Sequence, residues 1–176
     1  PQVLSAQAPD IDSLFAAWQD NNLPDSVRAN AYNSYVEVGF LYSRPDTVPT
    51  LANQLIEFGK KEKYSRAKAA GYRLKGISNA MMGNYSESIA FFSDAKDTYE
   101  EAGYFPGVAN SLKNIGNVYL YQGNRPRALE YAKKALTIYE ELDDKEGISG
   151  TLNNLGHIYW EQNNHERALE YGKKSL

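Results

Sequence analysis

Two histidines offer the first candidate for chemistry in this 176-residue chain. His157, Glu161 and His165 step by four, the spacing that places ligand atoms on one face of a helix and suits a divalent cation. Asn163-Asn164 falls between them, however, and reads as a turn, so His165 belongs to a different helix and the trio is not a ligand set. With zero cysteines the chain has no thiolate nucleophile, thiolate metal ligand or disulfide. Acid pairs occur at Glu100-Glu101, Glu140-Glu141 and Asp143-Asp144, at the ends of helical stretches, where solvated charge is the simpler reading. GNYSES and QGNRPR are turns leading into helix caps, not phosphate loops. No Ser/His/Asp set can be assembled from the spacing. The expectation is a non-enzymatic chain without cofactor or metal.

Recognition is better served than reaction. Asn110, Asn114, Asn117 and Tyr121 are spaced 4, 3 and 4, one polar row along a helix, with Lys113 beside it. Forty residues on, Gly150, Asn154, His157 and Glu161 form the same row. An asparagine amide both donates and accepts, which suits gripping the backbone of an extended peptide whatever its side chains. Tyr121 and Trp160 are either aromatic anchors at the edge of such a groove or packing against a neighbouring unit. The asparagines have a second reading too, as hydrogen bonds between helices.

These rows sit on elements that repeat. NIGNVYLYQGNRPRALEYAKKAL (114–136) returns as NLGHIYWEQNNHERALEYGKKSL (154–176), with 13 of 23 positions identical. Steps of 40 link Gly76 to Gly116 to Gly156, Ser88 to Ala128 to Ala168, and Phe91 to Tyr131 to Tyr171. A fixed period of this size means stacked supersecondary units. Leu112, Ile115, Val118 and Tyr119 make one helical stripe, and Ala128, Leu129, Ala132, Ala135, Leu136 and Tyr139 make another after a small-polar turn. Asn124 reads as a helix cap with Pro126 in the first turn, and Asn84 with Glu87 reads as a capping box. A glycine inside a helix costs about 1 kcal/mol relative to alanine, so its return at Gly116 and Gly156 predicts a close helix crossing.

The pattern resembles the tetratricopeptide repeat: Leu112-x2-Ile115-Gly116-x2-Tyr119 with Ala128, and Leu152-x2-Leu155-Gly156-x2-Tyr159 with Ala168. A weaker copy runs through Tyr72, Lys75, Gly76 and Asn79, with Ser88 and Phe92. The chain departs from the family at Ala132 and Gly172, in lacking the closing proline, and in its period of 40 rather than 34. The six extra residues are expected to lengthen the second helix through TIYEELDDKEG and DTYEEAGYFPG. The resemblance implies an all-α fold, a right-handed superhelical solenoid of antiparallel helix pairs whose first helices line the concave side. It also implies a protein or peptide partner. Lys113, Asn117 and Asn154 match three of the five positions of the carboxylate clamp in chaperone-binding members of the family.

The organisation expected is a single domain. Residues 1–9 form a tail, 10–23 a capping helix, 24–64 a degenerate repeat, 65–104 and 105–144 full repeats, and 145–176 an incomplete one. Within 25–42 the apolar face is expected at Val27, Ala31, Tyr35, Val38 and Leu41, and a second helix is expected over 50–64. Ala6-Gln7-Ala8 reads either as a signal-peptide remnant, placing the folded part in the periplasm, or as a chance pattern in a cytoplasmic protein. The last helix leaves Leu169, Tyr171 and Leu176 exposed unless further repeats or a second copy of the chain covers them. The net charge of -3 and interspersed signs do not form the basic face that nucleic acid requires. No apolar run is long enough to span a membrane.

Three functions are compatible with this reading. The leading one is a peptide-binding or protein-binding scaffold, the interaction or sensor part of a larger bacterial signalling protein, as resemblance to the sensor regions of membrane-anchored members implies. The others are a dimerisation module for a nucleotide cyclase or sensor kinase whose catalytic domain lies beyond residue 176, and a cytoplasmic structural adaptor.

Overall fold

A computed structural model describes residues 10–175, which are helical except for short turns. Helix α1 is Ile11–Gln19, α2 Asp25–Val36, α3 Val48–Lys61, α4 Ser65–Met81, α5 Tyr85–Glu101, α6 Phe105–Tyr121, α7 Arg125–Glu141, α8 Lys145–Glu161 and α9 His165–Lys174. Residues 1–9, where the signal-peptide reading falls, and Leu176 lie outside the described residues.

The period of 40 is two equal halves. Helices α4 to α8 are each 17 residues long, so the extra length is shared by both helices of a pair instead of loading the second. Helix α7 ends at Glu141, and Lys145-Glu146-Gly147 opens the next helix rather than prolonging this one. The turns share one geometry. Lys63, Gly83, Gly103, Gly123, Asp143 and Asn163 take left-handed φ values between 51° and 80°. The N–H of the following residue then donates to a carbonyl five residues back, as in Tyr104 to Tyr99 and Asn164 to Tyr159, both 2.9 Å. This closes the free carbonyls at each helix end and reverses the chain.

The degenerate first pair obeys the same register. Helix α2 begins 40 residues before α4 and continues through a π-helical turn, Glu37–Leu41. The residues that face inward differ from the expected stripe. Ala29, Ala31, Tyr32, Val36 and Leu41 are buried, whereas Val27 and Val38 are exposed. Within α2 the buried face runs Ala29, Tyr32, Val36 at ordinary 3–4 spacing, one residue out of step with the expected stripe, and the i→i+5 turn then carries it five residues on, from Val36 to Leu41. Helix α3 starts at Val48, with Pro49 in its first turn, and ends at Lys61, a span shifted from the expected 50–64. Helix α1 caps this end: Trp18 packs 4.5 Å from the Tyr32 ring and 4.7 Å from Phe58, and Phe15 lies 5.0 Å from Tyr35.

Burial crosses from pair to pair. One cluster joins Tyr32, Val36, Leu55 and Phe58 to Leu74. A second joins Tyr99 of α5, Val108 and Leu112 of α6, and Tyr139 of α7, and a third joins Phe92, Ile115, Ala128 and Ile158. No pair completes its own core, which is the property that makes a solenoid stack. The first helices also touch in series, α2 on α4, α4 on α6 and α6 on α8. Gly116 sits at the predicted crossing: a Cβ there would lie 3.3 Å from the Ala128 carbonyl oxygen and 3.4 Å from the Ala132 nitrogen. Tighter approaches are Gly107, where a Cβ would lie 2.5 Å from the Tyr99 ring, and Gly147, where it would lie closer still to the Tyr139 ring.

Candidate functional site

The groove face of each first helix is set by 3–4 spacing. On α4 it presents Arg66, Ala70, Arg73, Ile77 and Met81, and on α6 Asn110, Lys113, Asn114, Asn117 and Tyr121. Three adjoining hollows run along these faces, two between α4 and α6 and the third between α2 and α4. One of about 370 Å³ is floored by Ile77, Ala80, Phe92 and Val118 and rimmed by Tyr42, Tyr85 and Tyr121. Next to it, sharing Ile77 and Asn114, is one of about 340 Å³ reaching Arg73, Asn110 and Lys113. The third, of about 180 Å³, shares Arg73, Tyr99 and Tyr104 with the second and extends to Asn30, Asn33 and Arg66.

The expected row is thus partly a groove and partly a set of struts. Asn110 is engaged at both ends: its Nδ2 donates to the Pro106 carbonyl (3.1 Å), and its Oδ1 accepts from the Tyr139 hydroxyl (2.8 Å). Asn154 Nδ2 donates to Asn117 Oδ1 at 2.8 Å, tying α8 to α6. Two of the three clamp-like positions therefore bond to each other. Burial drives this, because a half-buried amide without a partner costs about 1–3 kcal/mol. Asn114 lines two hollows, and Asn117 lines the largest of the three. Lys113 lies with its ammonium 5.6 Å from the Tyr139 ring centre. Burial holds its pKa below the usual lysine range, against the pull of Asp144 and Glu146.

Tyr121 is 67% exposed and its ring lies 6.4 Å from that of Tyr85, at the open end of the groove. His157 and Glu161 stand elsewhere. Glu161 accepts from Arg125 Nε at 3.1 Å, with His157 Nε2 4.0 Å from its other carboxylate oxygen. His157 lines a separate hollow of about 370 Å³ at the α8–α9 end with Trp160, His165, Ala168 and Leu169. Trp160 meets His165 edge-on at 4.6 Å, yet both Trp160 and Leu169 are 60% exposed. Tyr171, expected to be exposed, instead stacks on Tyr159 at 5.3 Å. Among the described residues no three His, Cys, Asp or Glu side chains are grouped as metal ligands, and no helix is long and apolar enough to cross a membrane.

Two features escaped the sequence. Arg73 stands 40 residues before Lys113, in the same slot, and holds the centre of the groove. Its Nη2 donates to Asn33 Oδ1 (3.0 Å) and to Glu37. The step of 40 that found the glycines would have found it. The other is Asn84, expected as a capping box. It makes no cap hydrogen bond, and its Nδ2 donates to Asn79 Oδ1 at 3.3 Å. Asn79 is 8% exposed, and satisfying its buried amide outweighs a cap that water can replace. Asn124, Asp144 and Asn164 do cap their helices.

The tetratricopeptide repeat sequence profile matches residues 67–141 and 128–176, more than half of the chain. The chain belongs to the tetratricopeptide repeat family. Solved structures of tetratricopeptide-like architecture agree with the solenoid. BtubC (BKLC) from P. vanneervenii is similar at a TM-score of 0.71 and 16% identity, covering 93% of this chain and 68% of that one. Aspartyl phosphate phosphatase F from Bacillus subtilis gives 0.77 and 19%, covering 87% and 40%. Kinesin light chain repeats from Podosopora anserina give 0.65 and 12%, covering 94% and 82%. A search of curated proteins gave no match. At these identities the likeness shows the fold, and the family makes the chain a scaffold for protein–protein interaction.

Proposed function

We propose that the protein binds an extended peptide segment of a partner along the groove lined by α2, α4 and α6. The observation that carries this is the continuity of the three hollows: apolar and tyrosine-rimmed at the Met81–Tyr121 end, polar at the Arg66–Lys113 end. An apolar anchor side chain fits the first, and Asn114 in the middle is placed to meet main-chain amides. Within a larger bacterial signalling protein, such binding would alter the stacking of pairs and pass that change onward. Selection of displayed peptides on the protein, followed by NMR titration of the best binder, tests the site. Shifts centred on Ile77, Asn114 and Val118, with binding lost in Ile77→Asp, are expected. A binder whose affinity is untouched by Ile77→Asp and Tyr121→Asp would place recognition elsewhere.

A second reading has its own observation. Leu129 and Leu120, one period before Leu169 and Trp160, pack into the cluster that Ile158 completes, whereas Leu169 and Trp160 are 60% exposed. Dimerisation through that face predicts a concentration-dependent mass by light scattering that Leu169→Asp abolishes. A monomer at all concentrations rejects it.

A further inference from the structure

The burial pattern of α2 follows that of the later first helices only as far as Val36. To that point the register of 40 holds: Ala29 is buried like Ala69 and Ala109, and Val36 is buried in the slot of Gly76, Gly116 and Gly156. Beyond it the register fails. Val38 is 52% exposed, although Ser78, Val118 and Ile158 in its slot are buried. Leu41 is buried, although Met81 and Tyr121 in its slot are exposed. A shift of one residue restores agreement: Leu41 then matches the partly buried Ala80 and Leu120, and Tyr42 matches Met81 and Tyr121. The break falls on the π turn, Glu37–Leu41.

A turn closed by i→i+5 hydrogen bonds takes up one residue more than an α turn, so the chain after it lags an unbroken helix by about 100° of rotation. Single turns of this kind are rare and are often found at functional sites. This one is held from outside. Glu37, its first residue, accepts from Arg73 Nη2 of α4, and Gly39 lies against α1, with Ile11 Cδ1 3.7 Å from where a Cβ would stand. In an unbroken helix Leu41 would hold the rim of the groove and Tyr42 would turn away from it. The π turn instead buries Leu41 and leaves Tyr42 81% exposed, the most exposed large apolar side chain among the described residues. Burying Leu41 serves the fold, but nothing in the fold calls for a tyrosine at 42.

We infer that the π turn is a positioning device for binding: it sets Tyr42 as a wall of the apolar hollow, where the ring closes on a bound apolar side chain. This rests on the groove reading above and names the residue that completes its apolar end. Tyr42, Tyr85 and Tyr121 stand around a floor that includes Ile77, Phe92 and Val118, and among the described residues no charged side chain lines this hollow. The three tyrosines come from three successive pairs, so a side chain seated between them would touch all three. It would take the Tyr42 ring out of water along with its own surface, and the gain in binding grows with the apolar area so removed.

The chain has no cysteine, so single cysteines report the phase of the turn through their rate of alkylation by N-ethylmaleimide. Val38→Cys and Tyr42→Cys should react about tenfold faster than Leu41→Cys. A slow Val38→Cys overturns the inference, because residue 38 would then be buried as Val118 is, and Tyr42 would have turned from the rim. That arm stands even if Leu41→Cys does not fold. Binding is read by NMR with N-acetylleucinamide, and with N-acetylalaninamide as control, from the methyl signals of the two methionines. Met81 lines the hollow and Met82 does not. N-acetylleucinamide should shift Met81 and leave Met82 in place. It should bind about fivefold more weakly to Tyr42→Ser, whose melting curve should match the parent because the lost ring is exposed. Tyr42→Phe should bind as the parent does, and so should Val27→Ser, exposed on α2 outside the hollow. An affinity unaltered in Tyr42→Ser overturns the inference, as does equal binding of the leucine and alanine probes. If Ile77→Asp abolishes the Met81 shift while Tyr42→Ser does not weaken binding, the groove reading stands and only this inference falls. If the probe leaves Met81 unmoved in the parent, both fall.

Discussion

Helices α6 and α8 occupy the same slot in successive pairs, and their two faces have diverged unequally. Toward the stack they are near copies: Gly107 and Gly147, Val108 and Ile148, Ser111 and Thr151, Leu112 and Leu152, Ile115 and Leu155, Tyr119 and Tyr159. Even the buried hydroxyls repeat, Ser111 donating to the Gly107 carbonyl at 2.8 Å and Thr151 to that of Gly147 at 2.7 Å. Toward the groove almost nothing is shared. Asn110 faces Gly150 across the period, Lys113 faces Asn153, Asn117 faces His157, and Tyr121 faces Glu161. The inner face must fit a neighbour of fixed shape, so substitutions there cost packing energy. Toward the groove only some side chains brace a neighbouring helix, as Asn110 and Asn117 do, and the rest are free to differ. The proposed site lies where the repeat stops repeating.

The sharpest way to break that comparison is to overpack the shared face. Gly107→Leu and Gly147→Leu should each cost about 3 kcal/mol in urea denaturation, because in both helices a buried tyrosine ring fills the space a side chain needs. Gly116→Leu, against the backbone of α7, should cost about 2 kcal/mol. If Gly147→Leu proved harmless while Gly107→Leu did not, the two inner faces would not be equivalent.

Alkaline titration probes the tyrosines that bridge pairs. Burial, with Tyr35 adding to it, pushes Tyr32 from its ordinary 10.0 up to about 12, and burial raises Tyr139 as well. A raised acid pKa means the unfolded chain gives up its proton first, so stability is full below pH 10 and falls as pH climbs through 12. Tyr139→Phe should cost about 1 kcal/mol at neutral pH, through the lost hydrogen bond to Asn110, and should flatten part of that alkaline decline. A decline unaltered in both Tyr139→Phe and Tyr32→Phe would mean that other groups cause it.

The groove face should respond in the opposite sense. Nothing lies within 4 Å of a Cβ placed on Gly150, so Gly150→Ala should raise stability by about 0.5–1 kcal/mol. Lys113→Met should raise Tm on the order of 2 °C, since burial of its charge disfavours the folded state. A lower Tm for Lys113→Met would show that the lysine serves the fold.

Much of the architecture was legible in the sequence because stacking demands periodicity. Gly76, Gly116 and Gly156 marked the helix crossings, and Asn124 marked a cap that the structure contains. The inward face of α2 was not legible, since it is built on the small Ala29 and on Tyr32 while the apolar Val27 faces out, and the π turn at Glu37–Leu41 then breaks the spacing between Val36 and Leu41. Gly107 and Gly147 passed unnoticed although they repeat, because a glycine near a helix start looks like part of a turn until a tyrosine ring is seen against it. Of the groove residues, Asn110, Lys113, Asn114, Asn117 and Tyr121 do line one surface, while His157 and Glu161 belong with Trp160, Arg125 and the far end.

The sequence by itself determined that helices of equal rank recur at 40 residues and must lean on one another, because the spacing of apolar side chains leaves each pair with a face it cannot cover. Only the tertiary structure decided which polar groups remain available. Asn117 and Asn154 satisfy one another across two helices, and Arg73, from a third, is drawn onto Asn33 and Glu37 one pair back. Periodicity specifies position along a helix, whereas hydrogen bonding and burial depend on distances between residues far apart in the chain, and those exist only once the helices are stacked.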